Sequence, residues 1–132
     1  MWVCALTLEP RADEARTWIR SHDPLDISLS SWTLVEIMSG LSLKVRRGEL
    51  RVDELLKVTS EAKRLPNSHS RTPISEDHFL DAQRLVQQHR TGLRSGDALH
   101  LAIAADFGLT VATYDKTMAT AAQSLGLAAI LL

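Results

Sequence analysis

Cysteine is almost absent from this chain: Cys4 is the only one in 132 residues. A lone thiol cannot close an internal disulfide, and there is neither a CxxC pair nor a Cys/His cluster. Disulfide scaffolds and zinc modules are therefore excluded, and a reduced, cytoplasmic setting is expected. Net charge is also nearly absent, at −1. No global basic field draws in nucleic acid, so any RNA or DNA contact must come from a local patch. No apolar run approaches the length needed to span a bilayer, and no membrane partner is expected. The opening MWVCALTLEP lacks a positive start and a small-residue cleavage site, which makes it a poor signal peptide. Internal repeats, low-complexity tracts and linkers are missing too. What remains is ordinary for a globular protein, with 45% hydrophobic and 23% charged residues. The length suits one domain with a real core, residues 1–132.

Hydrophobic spacing divides the chain into short alternating elements. Residues 1–8 are apolar up to Glu9-Pro10, and their propensities permit either a strand or a short helix. Ala12, Ala15, Trp18 and Ile19 have helical spacing, which the segment around Pro24 ends. Residues 25–29 alternate as a strand would. Ser30 and Ser31 offer N-caps for a helix carrying Leu34, Val35, Ile37, Met38 and Leu41. Residues 51–65 form a second amphipathic stretch, 66–71 a polar turn and 72–74 a short strand. Ser75 caps a helix with Glu76 and Asp77 in its first turn.

The stretch LRSGDALHLAIAADFGLTVATYD, residues 93–115, carries the most information. After Gly96 a helix is apolar on nearly every face, which reads as buried, and Gly108 ends it. Residues 109–114 read as a buried strand. A further helix closes at Gly126, and residues 127–132 form a last apolar strand. Short strands alternating with helices point to one α/β domain with a parallel sheet.

Three acids share a positional logic. Glu36 sits one turn into the helix after strand 25–29, Asp97 at the head of the apolar helix, and Asp115 directly after strand 109–114. In parallel sheets, ligands bind where strand ends meet helix starts. Convergent carboxylates repel one another unless a cation neutralises them, and hard oxygen ligands suit Mg²⁺ or Mn²⁺. Such ions can activate water and stabilise the leaving oxygen in phosphodiester hydrolysis. Each acid also has a purely structural alternative. Thr33 to Glu36 matches a capping box, Asp115 could be an ordinary N-cap, and Asp97 could complement a helix dipole.

The words around the acids add to this pattern. LRSGDALHLAIA followed by LTVATYDKTM, with SSWTLVEIMSGL upstream, resembles the PIN-domain ribonucleases, and most closely the VapC-type toxins of bacterial toxin–antitoxin pairs. EPRADEARTWI and the closing LGLAAILL extend the resemblance over nearly the whole chain. It implies a three-layer α/β/α fold with a parallel five-stranded sheet, and Mg²⁺- or Mn²⁺-dependent RNA cleavage. Glu36, Asp97 and Asp115 then fall on three of the family's four acidic positions, as catalytic and metal-holding residues. Thr113 falls on a position that is often Ser or Thr near the metal. The resemblance also implies a homodimer and a small antitoxin covering the site. The apolar helices over residues 12–19 and 34–41 are candidate surfaces for either, and core packing explains them equally well. Arg94 and Lys116, flanking the acids in sequence, are candidates to hold an RNA phosphate.

One departure concerns the front end. The family opens on a strand ending in an Asp, and here the chain starts inside the segment that follows it, so the first strand and first acid are expected to be missing. Glu9 lies too late to replace that acid. Residues 2–7 should accordingly be the helix after that strand. Three readings of the departure are a longer chain upstream, a natural remnant held by dimer or partner contacts, and another segment filling the gap. The first is favoured. The competing function is a PIN-like binding module that docks an antitoxin or dimer partner without cutting. A flavodoxin-like receiver would need an early acidic pair and a mid-sheet phospho-acceptor Asp, and neither is visible.

Other candidates carry less. The five histidines show no zinc spacing, and His100 reads as a hydrogen-bonded core residue. Ser95 lacks a nucleophile-elbow context. The glycines match neither a P-loop nor a dinucleotide fingerprint. Trp18 and Trp32 are expected to pack in the core. Seven basic residues between Lys44 and Arg64 are interleaved with acids, so a solvated helix face is favoured over a phosphate grip.

Overall fold

The computed structural model describes residues 1–132. Two compact units, Met1–Pro73 and Ile74–Leu132, are distinguishable. No helix is long and apolar enough to cross a membrane.

The first unit runs α1 (Trp2–Leu6), α2 (Ala12–Arg20), β1 (Ser28–Ser30), α3 (Ser31–Arg46), α4 (Val52–Arg64) and β2 (Ser70–Thr72). The opening segment is helical, although its propensities alone also permit a strand. A helix of five residues does not hold in isolation; this one is finished by its neighbours. The Arg16 guanidinium, on α2, donates to the carbonyls of Ala5 at 2.8 Å and Thr7 at 3.0 Å. The Thr7 hydroxyl donates to the Val3 carbonyl at 2.8 Å. The C-terminal carbonyls that a helix leaves without partners are thus satisfied from α2 and from Thr7.

Strand β1 is shorter than residues 25–29 suggested. Asp23 accepts the Leu25 N–H at 2.9 Å and Pro24 opens a 3-10 turn over Pro24–Asp26, so turn chemistry removes the first half of that stretch from the strand. Ser30 then caps α3, its hydroxyl accepting the Thr33 N–H at 3.2 Å while its own N–H donates to Thr33 Oγ1 at 3.4 Å. Strand β2 falls at Ser70–Thr72, two residues earlier than the 72–74 expected and partly inside the supposed polar turn. Pairing decides this rather than propensity. β2 lies parallel to β1 with Ser28 opposite Ser70 and Ser30 opposite Thr72, and the hydroxyls of Ser28 and Thr72 bond across the pair.

Ile37 and Leu41 of α3 and Val58 and Ala62 of α4 form this unit's core, with Trp2 and Val3 of α1 packed against it. Gly40 permits the close approach of α1, since a Cβ there would lie 2.7 Å from Val3 Cγ2. Lys44 joins the α1–α2 turn to the α3–α4 loop through Glu9 at 2.8 Å and Glu49 at 3.0 Å.

The second unit runs α5 (Glu76–Val86), α6 (Ser95–Asp106), β3 (Val111–Thr113), α7 (Lys116–Ser124) and β4 (Ala129–Leu131). β3 and β4 pair in parallel with Val111 opposite Ala129 and Thr113 opposite Leu131. Helix α6 is buried as its composition requires, at Ala98, Leu99 and Leu101 through Ala104. Leu101, Met118 and Ala122 form the core of this unit, against Leu85, Leu93, Val111, Leu127 and Ala129. The two strands are less buried than their apolar sequences suggested. β3 is half-buried throughout, and Ile130 and Leu131 of β4 are exposed. All four strands are parallel in their pairings, the chain opens on a helix, and the fold is of the mixed α/β class.

Candidate active site

Asp97 is the third residue of α6. Its Oδ2 accepts the backbone N–H of Arg94, the residue before the helix, at 3.3 Å. The carboxylate therefore lies at the positive end of the helix dipole, where a negative charge is favoured. Asp115 is the N-cap of α7, its Oδ1 accepting the Met118 N–H at 3.0 Å. Thr113 prepares that cap: its Oγ1 accepts the Asp115 N–H at 3.0 Å and fixes the turn from β3 into α7. The structural alternatives for both aspartates are thus realised. Each of these two cap bonds engages one carboxylate oxygen.

The loop that leads into α6 meets the first turn of α7. Gly92, in the left-handed conformation at φ 67°, lies in the loop that leads into α6, and a Cβ on it would be 3.5 Å from Thr117 Cγ2 in the first turn of α7. Asp97 is half-buried and Asp115 is exposed, as are Arg94 and Lys116.

Glu36 belongs to the first unit, half-buried in the second turn of α3. The capping box from Thr33 to Glu36 does not form, since Ser30 and Thr33 fill that role one turn earlier. Glu36 is therefore no cap. Its charge reaches the Met1 amino group, whose pKa burial pushes below the ordinary value while Cys4, Glu9 and Glu36 pull it up.

Glu9 is absorbed elsewhere. Its hydrogen bond to Lys44 holds its carboxyl below the ordinary carboxylate range, and the same bond raises Lys44. The basic stretch thus loses Lys44 as a solvated group, and Arg51 is held by Asp53 at 2.9 Å. Trp18 and Trp32 are half-buried rather than core residues, with Trp18 stacked on His22 at 4.3 Å.

Sequence reasoning missed His78. It is buried on α5, accepts the Ser75 N–H on Nδ1 at 2.9 Å, and donates from Nε2 to Asp106 on α6 at 3.1 Å. Ser75 and His78 have capping-box spacing with His in place of Glu, and that spacing is the signal that could have found it.

No group of three or more His, Cys, Asp or Glu side chains forms a metal-holding cluster. In donor chemistry the aspartates fit a hard divalent cation, which takes carboxylate oxygens and completes its shell with water and substrate phosphates.

Parallel strand pairs feeding helices, with carboxylates at the helix starts, define an α/β protein of the kind that binds ligands beyond its strand ends. The PIN domain family model matches residues 1–123, and the chain belongs to that family. Membership points to a nuclease-type function that uses divalent metal ions. No curated protein matches the chain.

Proposed function

We propose that this protein is a VapC-type endoribonuclease toxin of the cytoplasm, active as a homodimer and neutralised by a small antitoxin. The observation that carries the reading is that Asp97 and Asp115 each stand at the start of a helix, inside a chain matched by the PIN family over residues 1–123. Glu36, Asp97 and Asp115 are the residues that would hold Mg²⁺ or Mn²⁺. Such an ion, when bound, lowers the pKa of water and offsets charge building on the phosphate oxygens. The chain's own groups position the reaction. Asp97 and Asp115 are oriented by their cap bonds, Thr113 sets the turn that presents Asp115, and exposed Arg94 and Lys116 attract the RNA phosphates.

A second reading is a PIN-like module that binds an antitoxin or partner copy without cutting; the cap roles that both aspartates fill favour it. Cleavage of single-stranded RNA in Mg²⁺ or Mn²⁺ separates the two. The nuclease reading expects cleavage that EDTA abolishes and that Asp97→Asn lowers by at least about 100-fold, as removal of one charge-stabilising group does. Cleavage that survives both treatments would overturn the metal site. An intact, folded chain that binds RNA or partner but never cuts would establish the module.

A further inference from the structure

One polar atom in the first unit has no account in packing terms. The indole Nε1 of Trp32 is shielded from solvent and has no hydrogen-bond partner. A buried donor without an acceptor is costly, and native proteins retain few of them without a reason. Trp32 occupies the first turn of α3, directly after β1, where a strand end meets a helix start. Residues four apart share a helix face, so Trp32 and Glu36 lie one above the other on α3. Trp32 as a whole residue is half-buried.

We propose that Trp32 is a substrate-positioning residue for RNA, rotating on binding so that its N–H donates to a phosphate oxygen beside Glu36. This rests on the nuclease reading above and adds a residue to it. The unmet donor is what makes the rotation accessible. The closed pose leaves the N–H unsatisfied, so exchanging it for a pose with an acceptor recovers a hydrogen bond as well as gaining contact with the ligand. The indole face can then support an unstacked base, a contact that single-stranded RNA readily makes.

Trp32→Phe keeps an aromatic face and removes the N–H, and it separates this role from a structural one. Removing an unsatisfied buried donor should raise the melting temperature of the free protein, by about 4 °C for a chain of this size. RNA binding should weaken by about threefold to tenfold, the range of one hydrogen bond, with KM rising and kcat within about twofold of the parent. Affinity for a single-stranded oligoribonucleotide is read by fluorescence anisotropy in the Asp97→Asn background, where the RNA stays intact. A Trp32→Phe protein that melts higher and binds the oligoribonucleotide as tightly as the parent overturns the proposal. If the parent binds RNA without cutting it, the nuclease reading falls, and the same binding ratio still decides the role of Trp32. If the parent does not bind RNA at all, both fall.

Discussion

Lys44 shows how one side chain can be taken out of a functional pool. In sequence it is the first of a basic run; in the fold its ammonium is mostly covered, with its side chain 14% exposed, and it bridges Glu9 and Glu49. The Lys44 hydrogen bond depresses Glu9, so this contribution to stability is fully present above the ordinary carboxylate pKa and disappears as pH falls through the depressed value. Lys44 is raised by the same contact, so its contribution holds through neutral pH and is lost only as pH climbs through the raised value in the alkaline range. Lys44→Met should cost about 1–2 kcal/mol in urea unfolding at pH 7, and the gap to the parent should narrow at an acid pH below the ordinary carboxylate range. An equal gap at both pH values would show that Lys44 acts through packing of its methylene stem.

At the scale of elements, legibility followed the range of the interaction. The start of α3 was readable because Ser30 caps it with atoms three residues away, and α6 because its apolar faces lie within one stretch. Both aspartates were readable for the same reason, each being a local cap. Helix α1 was open to two readings, since the guanidinium that completes it comes from Arg16. β2 was misplaced because Ser70 and Arg71 carry no strand signal of their own and pair through partners more than 40 residues away. Gly40 belongs to this long-range class as well. In a helix interior an alanine would ordinarily gain about 1 kcal/mol in propensity. Here a Cβ would sit 2.7 Å from a methyl of Val3, whose branched side chain has little freedom to turn away. Gly40→Ala should therefore lower stability by about 1–3 kcal/mol in chemical denaturation. Adding Val3→Ala should recover part of the loss, a non-additivity expected only if the two residues collide. Equal losses with and without Val3→Ala would place the cost elsewhere.

For the whole molecule, the question is whether the two compact units unfold as one. Each holds a single parallel pair with three residues per strand, and parallel strands are ordinarily the buried interior of larger sheets. The second unit has only residues 74–132 from which to build a core, a length at which burial leaves little margin over chain entropy. The family match runs without a break across the boundary at residue 73. We propose that residues 1–132 form one PIN-like domain, and that heating or urea unfolds it in a single transition. Calorimetric and van't Hoff enthalpies should agree, and two resolved transitions would refute the proposal. The same melt reports on the acids without any need for catalysis. A ligand that binds only the folded chain stabilises it by RT ln(1 + [L]/Kd), so Mg²⁺ at about 100 times its Kd should add about 2.7 kcal/mol. Asp97→Asn and Asp115→Asn should each flatten that metal dependence. A parent protein whose melting temperature ignores Mg²⁺ and Mn²⁺ alike at millimolar concentrations would argue that its carboxylates are caps and nothing more.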